Sequence, residues 1–188
     1  MIMGSVRHTF PGLFPWLCLA LGLSGSTPGW GSDTVPAGYR AVAAEVGAPF
    51  TLFYAIALTE SGRRIEQGGV LRPWPWTLNM SGRGHFYDSR EAAWQALSRF
   101  MAEGEQSVDI GLMQVNWRYH KDRLGTLWQA LDPYHNLRVA AGILQECFER
   151  TRDWWASVGC YHAPANAARA ESYRLRVLRH WRQVVAAG

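Results

Sequence analysis

One run constrains the fold more than any other: Leu52 to Arg64, LFYAIALTESGRR, an apolar helical stretch that ends in a glutamate followed by Ser-Gly. With Pro49 opening the helix, Phe53, Ile56, Ala57 and Glu60 fall at i, i+3, i+4 and i+7. One stripe then carries three apolar side chains and a carboxylate toward the interior. Gly62 supplies a stop signal. A negative charge in the last turn opposes the helix dipole, so neither burial nor local electrostatics favours a glutamate there. The competing reading of Glu60 is a surface residue paired with Arg63 or Arg64.

The chain has 188 residues, 48% hydrophobic and 18% charged, which suits one domain with its own core. The first thirty residues differ from the rest: Arg7 and His8, an apolar run Leu13–Leu23, then the small residues of SGSTPGWGS. This is the layout of a secretory signal peptide, with cleavage after Ser26 or after Gly31, since small residues stand at the last and third-last positions in both cases. The apolar run is about half of the ~20 residues a bilayer span needs, and no later segment is long and uncharged enough, so no permanent membrane span is expected. Cys18 lacks the small-residue context of a lipoprotein cleavage site and is lost with the signal. The division is a signal segment, residues 1–31, and a mature domain, residues 32–188.

Arg7 is the only charged residue in 1–31, so the formal charge falls from +4 to +3 on processing. A mildly basic chain suits an anionic surface such as cell wall, or is ordinary solubility, and gives no reason to expect a nucleic-acid partner. Cys147 and Cys160 remain, an even number in an oxidising compartment, and are read as a disulfide or as a pair of buried thiols. A zinc site built on them with His162 lacks a fourth ligand at a familiar spacing, and no metal or cofactor is expected.

The mature part reads as mainly α. Helices are expected over Ala37–Val46, from Pro49 through Glu60, from Ser89 to about Met101, from Asp132-Pro133 onward, from Asp153 to about Tyr161, and from Asn166 to the end. The helix opened by Asp132 carries Leu137, Ala140, Ala141, Ile143, Leu144, Cys147 and Phe148 and is expected to be central. In the last helix Ala170, Tyr173, Val177, Trp181 and Val184 alternate with Arg169, Arg174, Arg176, Arg179 and Arg182, an apolar stripe and a solvated face. Between Gly68 and Ser89 the Gly-, Pro- and aromatic-rich segment, with WTLNM and HFYDS flanking SGRG, reads as a short β-hairpin.

No GxSxG, Walker-type loop, HExxH or GxGxxG is present, and no cysteine stands in a Cys-His protease setting. A carboxyl on an apolar stripe has its pKa raised by desolvation, which keeps it protonated near neutral pH and able to donate a proton. Cleavage of a glycosidic bond needs such an acid, because the departing sugar oxygen is a poor leaving group.

Glu60-Ser61, then GLMQVN at Gly111–Asn116, then Tyr161 near a helix end, in that order, resemble the soluble lytic transglycosylase (SLT) domain. The resemblance covers most of Ala37 to about His162. It implies a lysozyme-like helical domain, related to goose-type lysozyme, with a short β-hairpin insert, acting on the glycan strands of peptidoglycan. It also implies that Glu60 is a single catalytic acid. Glu60 would protonate the oxygen joining N-acetylmuramic acid to N-acetylglucosamine, then accept a proton from the muramoyl C6 hydroxyl as that hydroxyl closes a 1,6-anhydro ring. Water is not consumed and a second carboxylate is not needed; Asp88, ending the hairpin, and Asp109, capping the turn into GLMQ, are the nearest candidates for one.

By the same resemblance, the segment Gly111, Leu112, Met113, Gln114 and Asn116 lines the groove opposite Glu60. Met113 would touch a sugar face, and the amides of Gln114 and Asn116 would meet hydroxyl and acetamido groups. The alternative is a packed turn with Leu112 and Met113 in the core. Ser61 would contact substrate or orient Glu60, and Tyr161 would hydrogen-bond the glutamate. The family commonly shows Ala-Tyr-Asn before a glycine, whereas this chain reads Cys160-Tyr161-His162-Ala163-Pro164; His162 replaces the asparagine's bonding or is a partly buried structural histidine. Trp74, Trp76, Phe86 and Tyr87 either extend the groove or cover the hairpin's own core. The expected setting is the periplasm, with components of a conjugation, pilus or secretion apparatus as partners. The alternatives are a lysozyme-like hydrolase and a wall-binding assembly protein of little turnover.

Overall fold

The computed structural model describes Met1 and residues 34–65, 69–105 and 107–188. The expected signal segment, with its cleavage points and Cys18, lies outside the described residues apart from Met1. Helices α1 (Ala37–Glu45) and α2 (Phe50–Ser61) lead into strands β1 (Gly62–Arg64), β2 (Leu71–Pro73), β3 (Thr77–Met80) and β4 (Arg83–Phe86). Helix α3 (Arg90–Ala102) follows, then β5 (Val108–Ile110) and β6 (Val115–Asn116). The chain ends in α4 (Trp117–Leu124), α5 (Leu127–Ala130), α6 (Pro133–Thr151), α7 (Trp154–His162) and α8 (Ala167–Ala186). Among the described residues no single helix is long and apolar enough to cross a membrane.

The helix starts follow from side-chain capping. Ser89 Oγ accepts from the Ala92 amide at 3.1 Å, Asp132 Oδ1 from His135 at 2.9 Å, Asp153 Oδ1 from Ala156 at 2.8 Å and Asn166 Oδ1 from Arg169 at 2.9 Å. Pro49 precedes the first residue of α2, which has no side-chain cap. Packing holds this helix instead: every residue from Leu52 to Leu58 is buried. The enclosed central helix is therefore α2, whereas α6, expected in that place, buries one face only, from Asn136 to Cys147. Gly62 ends α2 without a left-handed turn. Its φ is −58°, and a Cβ would collide with the Leu58 carbonyl oxygen, so the chain passes straight into β1 at close range.

The expected hairpin is β3–β4, joined by Ser81-Gly82 with φ of 50° and 77°, the two positive angles a tight two-residue hairpin turn demands. It belongs to a larger sheet of order β4-β3-β5-β6, antiparallel throughout, beside a separate β1–β2 pair. Leu78, Ile110 and Val115 occupy facing positions across β3, β5 and β6, and all three are buried. Asn79, Asp109 and Asn116 form the adjacent row and point to the other face, as strand alternation requires.

Cys147 of α6 and Cys160 of α7 form a disulfide, which takes both thiols out of any metal site. Closing a loop of this length stabilises by about 3 kcal/mol in the chain-entropy model. Helix α8 lies along α2 and places Tyr173 and Val177, both buried, against it.

Candidate active site

Glu60 is the penultimate residue of α2 and retains some exposure, while neighbouring Ser61 is buried. Its Oε1 accepts a 2.5 Å hydrogen bond from the Tyr173 hydroxyl of α8. No arginine from the adjoining turn competes: Arg63 Nη1 pairs with Asp88 Oδ1 at 3.5 Å, and Arg64 donates to the Gly69 carbonyl at 2.9 Å. Burial pushes the Glu60 carboxyl up from 4.5 to about 7; the Tyr173 bond lowers it, the charge of Asp109 raises it and that of Arg176 lowers it, by lesser amounts. The carboxyl is thus half-protonated near neutral pH, the condition in which one group can both give and take a proton.

Tyr161 makes a different bond from the one expected. Its hydroxyl donates to the Met113 carbonyl at 2.7 Å, and Tyr173 is the tyrosine that grips the glutamate. The reason lies in helix placement: α8 runs along α2, so the glutamate's nearest phenol comes from its stripe, whereas the end of α7 reaches the GLMQ turn. Tyr161 still lies within the field of both Glu60 and Asp109, which with burial hold its phenol far above the usual range. Ser61 has no exposed surface to offer a substrate; its hydroxyl donates to the Leu112 carbonyl at 2.7 Å and fastens the end of α2 to the same turn.

The GLMQVN segment is the packed turn. Met113 is fully buried and Leu112 nearly so, which rules out the expected contact of Met113 with a sugar face. Their carbonyl oxygens accept from the Ser61 and Tyr161 hydroxyls. Gly111 has a φ of 83°, and a Cβ there would stand 2.6 Å from the Asn136 side chain. Asn136, buried on α6, accepts from the Met113 amide at 3.0 Å and donates to the carbonyls of Ile110 at 2.9 Å and Ala130 at 3.3 Å. Gln114 also has a positive φ, 45°, and its amide group donates inward to Thr77 and Gly111 carbonyls at 3.1 and 2.9 Å. Asn116 Nδ2 donates to Asp109 Oδ1 at 2.8 Å. Both amide nitrogens expected to meet sugar groups are therefore committed to shaping the wall of the site.

His162 is exposed at the end of α7 but lies flat on the Tyr173 ring, centroids 4.3 Å apart and planes 6° from parallel. Covering that face lowers its pKa, with nearby Arg176 adding to the effect and Asp109 opposing it. The Arg176 guanidinium stands 5.2 Å from the Tyr173 centroid. Asp109 does not cap the turn: it sits within β5 and accepts from Asn79 at 3.1 Å and Asn116 at 2.8 Å. The aromatic insert packs largely on itself. Trp74 donates to the Tyr87 carbonyl at 2.6 Å, stands edge to face with Trp76, and carries Arg63 over its ring at 4.7 Å, while Phe86 is exposed.

Tyr173, Asn136 and Asn79 were not foreseen as site residues. For Tyr173 a signal existed: a tyrosine on an otherwise apolar stripe needs a partner for its hydroxyl once buried.

A mainly helical domain with a small antiparallel sheet, with the desolvated Glu60 at the end of α2 where the two meet, has the lysozyme-like architecture of an SLT domain. Residues 89–176 match the family model of the transglycosylase SLT domain. The family implies transglycosylase-type activity on peptidoglycan. The match runs from the cap of α3 into α8 and takes in Asp109, GLMQVN, Tyr161, His162 and Tyr173. Glu60 and Ser61 precede it and are bonded to it through Tyr173 and Leu112. No curated protein and no solved structure matches the chain significantly.

Proposed function

We propose that the protein is a periplasmic lytic transglycosylase that cuts the β-1,4 bond between N-acetylmuramic acid and N-acetylglucosamine and leaves 1,6-anhydromuramoyl ends. The observation that carries this reading is the Glu60 carboxyl, raised to about 7 by burial and aimed by the 2.5 Å bond from Tyr173. Protonated Glu60 transfers its proton to the bridging oxygen as the bond from that oxygen to the muramoyl anomeric carbon breaks. The electron pair leaves with the N-acetylglucosamine hydroxyl. The resulting carboxylate accepts the proton of the muramoyl C6 hydroxyl as its oxygen bonds to the anomeric carbon. Glu60 is left protonated as at the start, so one acid completes the cycle.

Export to the periplasm and local opening of the wall for an envelope-spanning machine complete the proposal, the export supported by the signal-like first thirty residues. The test is mass spectrometry of purified peptidoglycan digested by the mature protein and by Glu60→Gln. Anhydromuramoyl products that vanish in the variant are expected. Reducing-end products would move the protein to the hydrolases, and intact glycan that still binds the protein would make it a wall-binding component.

A further inference from the structure

Arg63 follows Glu60 by three residues and stands opposite Arg72 in the β1–β2 ladder, so two guanidinium side chains leave the same face of a two-stranded pair. Like charges directly opposite one another cost stability, and the ladder itself gives no reason to place them there. The Arg63 guanidinium is held against two rings, 4.7 Å from the Trp74 centroid and 5.8 Å from that of Phe86. Trp74 is itself fixed. Its indole N–H donates to the Tyr87 carbonyl at 2.6 Å, and its backbone N–H to the carbonyl of Ser61, the neighbour of Glu60, at 3.0 Å. Aromatic faces thereby orient this cation beside the acid.

The anion available within the chain does not match that arrangement. Asp88 Oδ1 stands 3.5 Å from Arg63 Nη1, and the Asp88 side chain is 93% exposed, so the pair is loose. By comparison Arg138 reaches Glu45 at 3.0 Å and Arg123 reaches Glu146 at 2.8 Å. Arg72 makes no ion pair among the described residues. Two facing arginines thus share one loosely held carboxylate. The planar fork of N–H donors on a guanidinium fits two oxygens in a plane, which is the geometry of a carboxylate. Three residues of chain separate Arg63 from Glu60, a span of at most about 10 Å.

Resting on the reading of the protein as a peptidoglycan-cleaving enzyme with Glu60 as its acid, we propose that Arg63, supported by Trp74 and Phe86 and backed by Arg72, binds a carboxylate of the peptide stem on the muramoyl residue being cut. That sugar differs from N-acetylglucosamine by its lactyl group, through which it carries a short peptide with free carboxylates. A stem of a few residues, at roughly 3.5 Å each, covers the distance from a sugar in front of Glu60 to Arg63. The contact sets the register of the strand. The two sugars alternate along the glycan, and only the muramoyl one has a stem, so a carboxylate seated at Arg63 brings the muramoyl anomeric carbon to the acid. Binding energy from a part of the substrate that does not react is thereby used to position the part that does. Asp88 gives way to solvent, as its exposure permits.

The test uses three substrates: glycan strands with intact stems, strands stripped of stems by an amidase, and strands whose stem carboxylates have been converted to carboxamides. Binding is measured with Glu60→Gln, alone and combined with Arg63→Met, which keeps an unbranched apolar side chain and removes the charge. Turnover is measured with wild type and Arg63→Met, and thermal unfolding checks the fold. Glu60→Gln is expected to bind intact strands about 10-fold more tightly than stripped or amidated ones. Arg63→Met is expected to bring that ratio to about 1 and to raise KM on intact strands. A role confined to holding the hairpin would weaken binding of all three substrates alike. A folded Arg63→Met with an unchanged ratio, or a Glu60→Gln protein that binds all three substrates equally, would overturn the proposal. Should Arg63→Met fail to fold, intact against amidated strands on Glu60→Gln decides, and equal binding overturns it. Turnover retained by Glu60→Gln would remove the reading of the acid, while the binding ratio would still judge Arg63 by itself.

Discussion

Tyr173 on α8 donates to Glu60 Oε1 on α2 at 2.5 Å, and this bond joins two residues 113 positions apart at the point where the proposed chemistry begins. Tyr173 is wholly buried, and without this bond its hydroxyl would be an unsatisfied polar group. Tyr173→Phe should therefore act on Glu60. Loss of the bond removes a contribution that lowers the carboxyl pKa, so the alkaline limb of the activity profile should move to higher pH. Loss of orientation should reduce kcat by about 10-fold to 100-fold, with smaller changes in KM. Steady-state kinetics on soluble glycan strands across pH measures both.

Glu60 also sets a pH dependence of stability. Its folded pKa is raised to about 7 from an ordinary 4.5, so between these values the folded protein binds more protons than the unfolded chain. The stabilisation that goes with the proton is complete below about pH 4.5 and is lost as pH rises through 7. Glu60→Gln, which resembles the protonated state, should be more stable than wild type at pH 8, by on the order of 3 kcal/mol at most, and the gap should close toward pH 4. Urea unfolding of both proteins at pH 4.5, 6 and 8 reads the difference. A constant gap would mean that Glu60 is not desolvated.

Helix starts, the hairpin and the order of the site segments were legible because local chemistry decides them. Ser89, Asp132, Asp153 and Asn166 each bond an amide in the first turn, and Ser81-Gly82 makes the turn. Glu60 was legible for the opposite reason, since it violates the local pattern. What remained hidden was decided by long-range packing. Strands of two to four residues, such as β6 and β4, are too short to show a period. Which tyrosine meets Glu60 depends on α8 lying along α2, and the inward turn of Met113 depends on Asn136, a polar residue within an apolar helix pattern.

Gly111 is where the turn has least tolerance. Its φ of 83° disfavours any other residue, and a Cβ would come within 2.6 Å of the Asn136 side chain that fixes the turn. Gly111→Ala should lower stability by about 2–4 kcal/mol and activity more than stability alone explains, since Ser61 and Tyr161 are both anchored on the carbonyls that follow. Asn136→Ala removes the collision but also the three bonds that the Asn136 side chain makes, to Met113, Ile110 and Ala130. The double variant should lose less than the sum of the two single losses, and chemical unfolding of all three measures that coupling.

His162 touches Tyr173, the hydrogen-bond donor to Glu60, by stacking, at 4.3 Å and 6°. If stacking is what holds the phenol, another flat ring should serve and a methyl group should not. A ring pair of this kind contributes about 1 kcal/mol beyond the area it buries. His162→Phe should then keep kcat near pH 7 within about 2-fold, while His162→Ala frees Tyr173 and lowers kcat by about 5-fold, in proportion to that energy. The pH profile separates the alternatives. The histidine's pKa is lowered by burial of its stacked face and by Arg176, so its protonation can influence Glu60 only at acid pH. His162→Phe should therefore change the acid side of the profile and leave the alkaline side, which belongs to Glu60, where it was. A loss at every pH in His162→Phe would assign the ring a bond to the substrate instead of a contact with Tyr173.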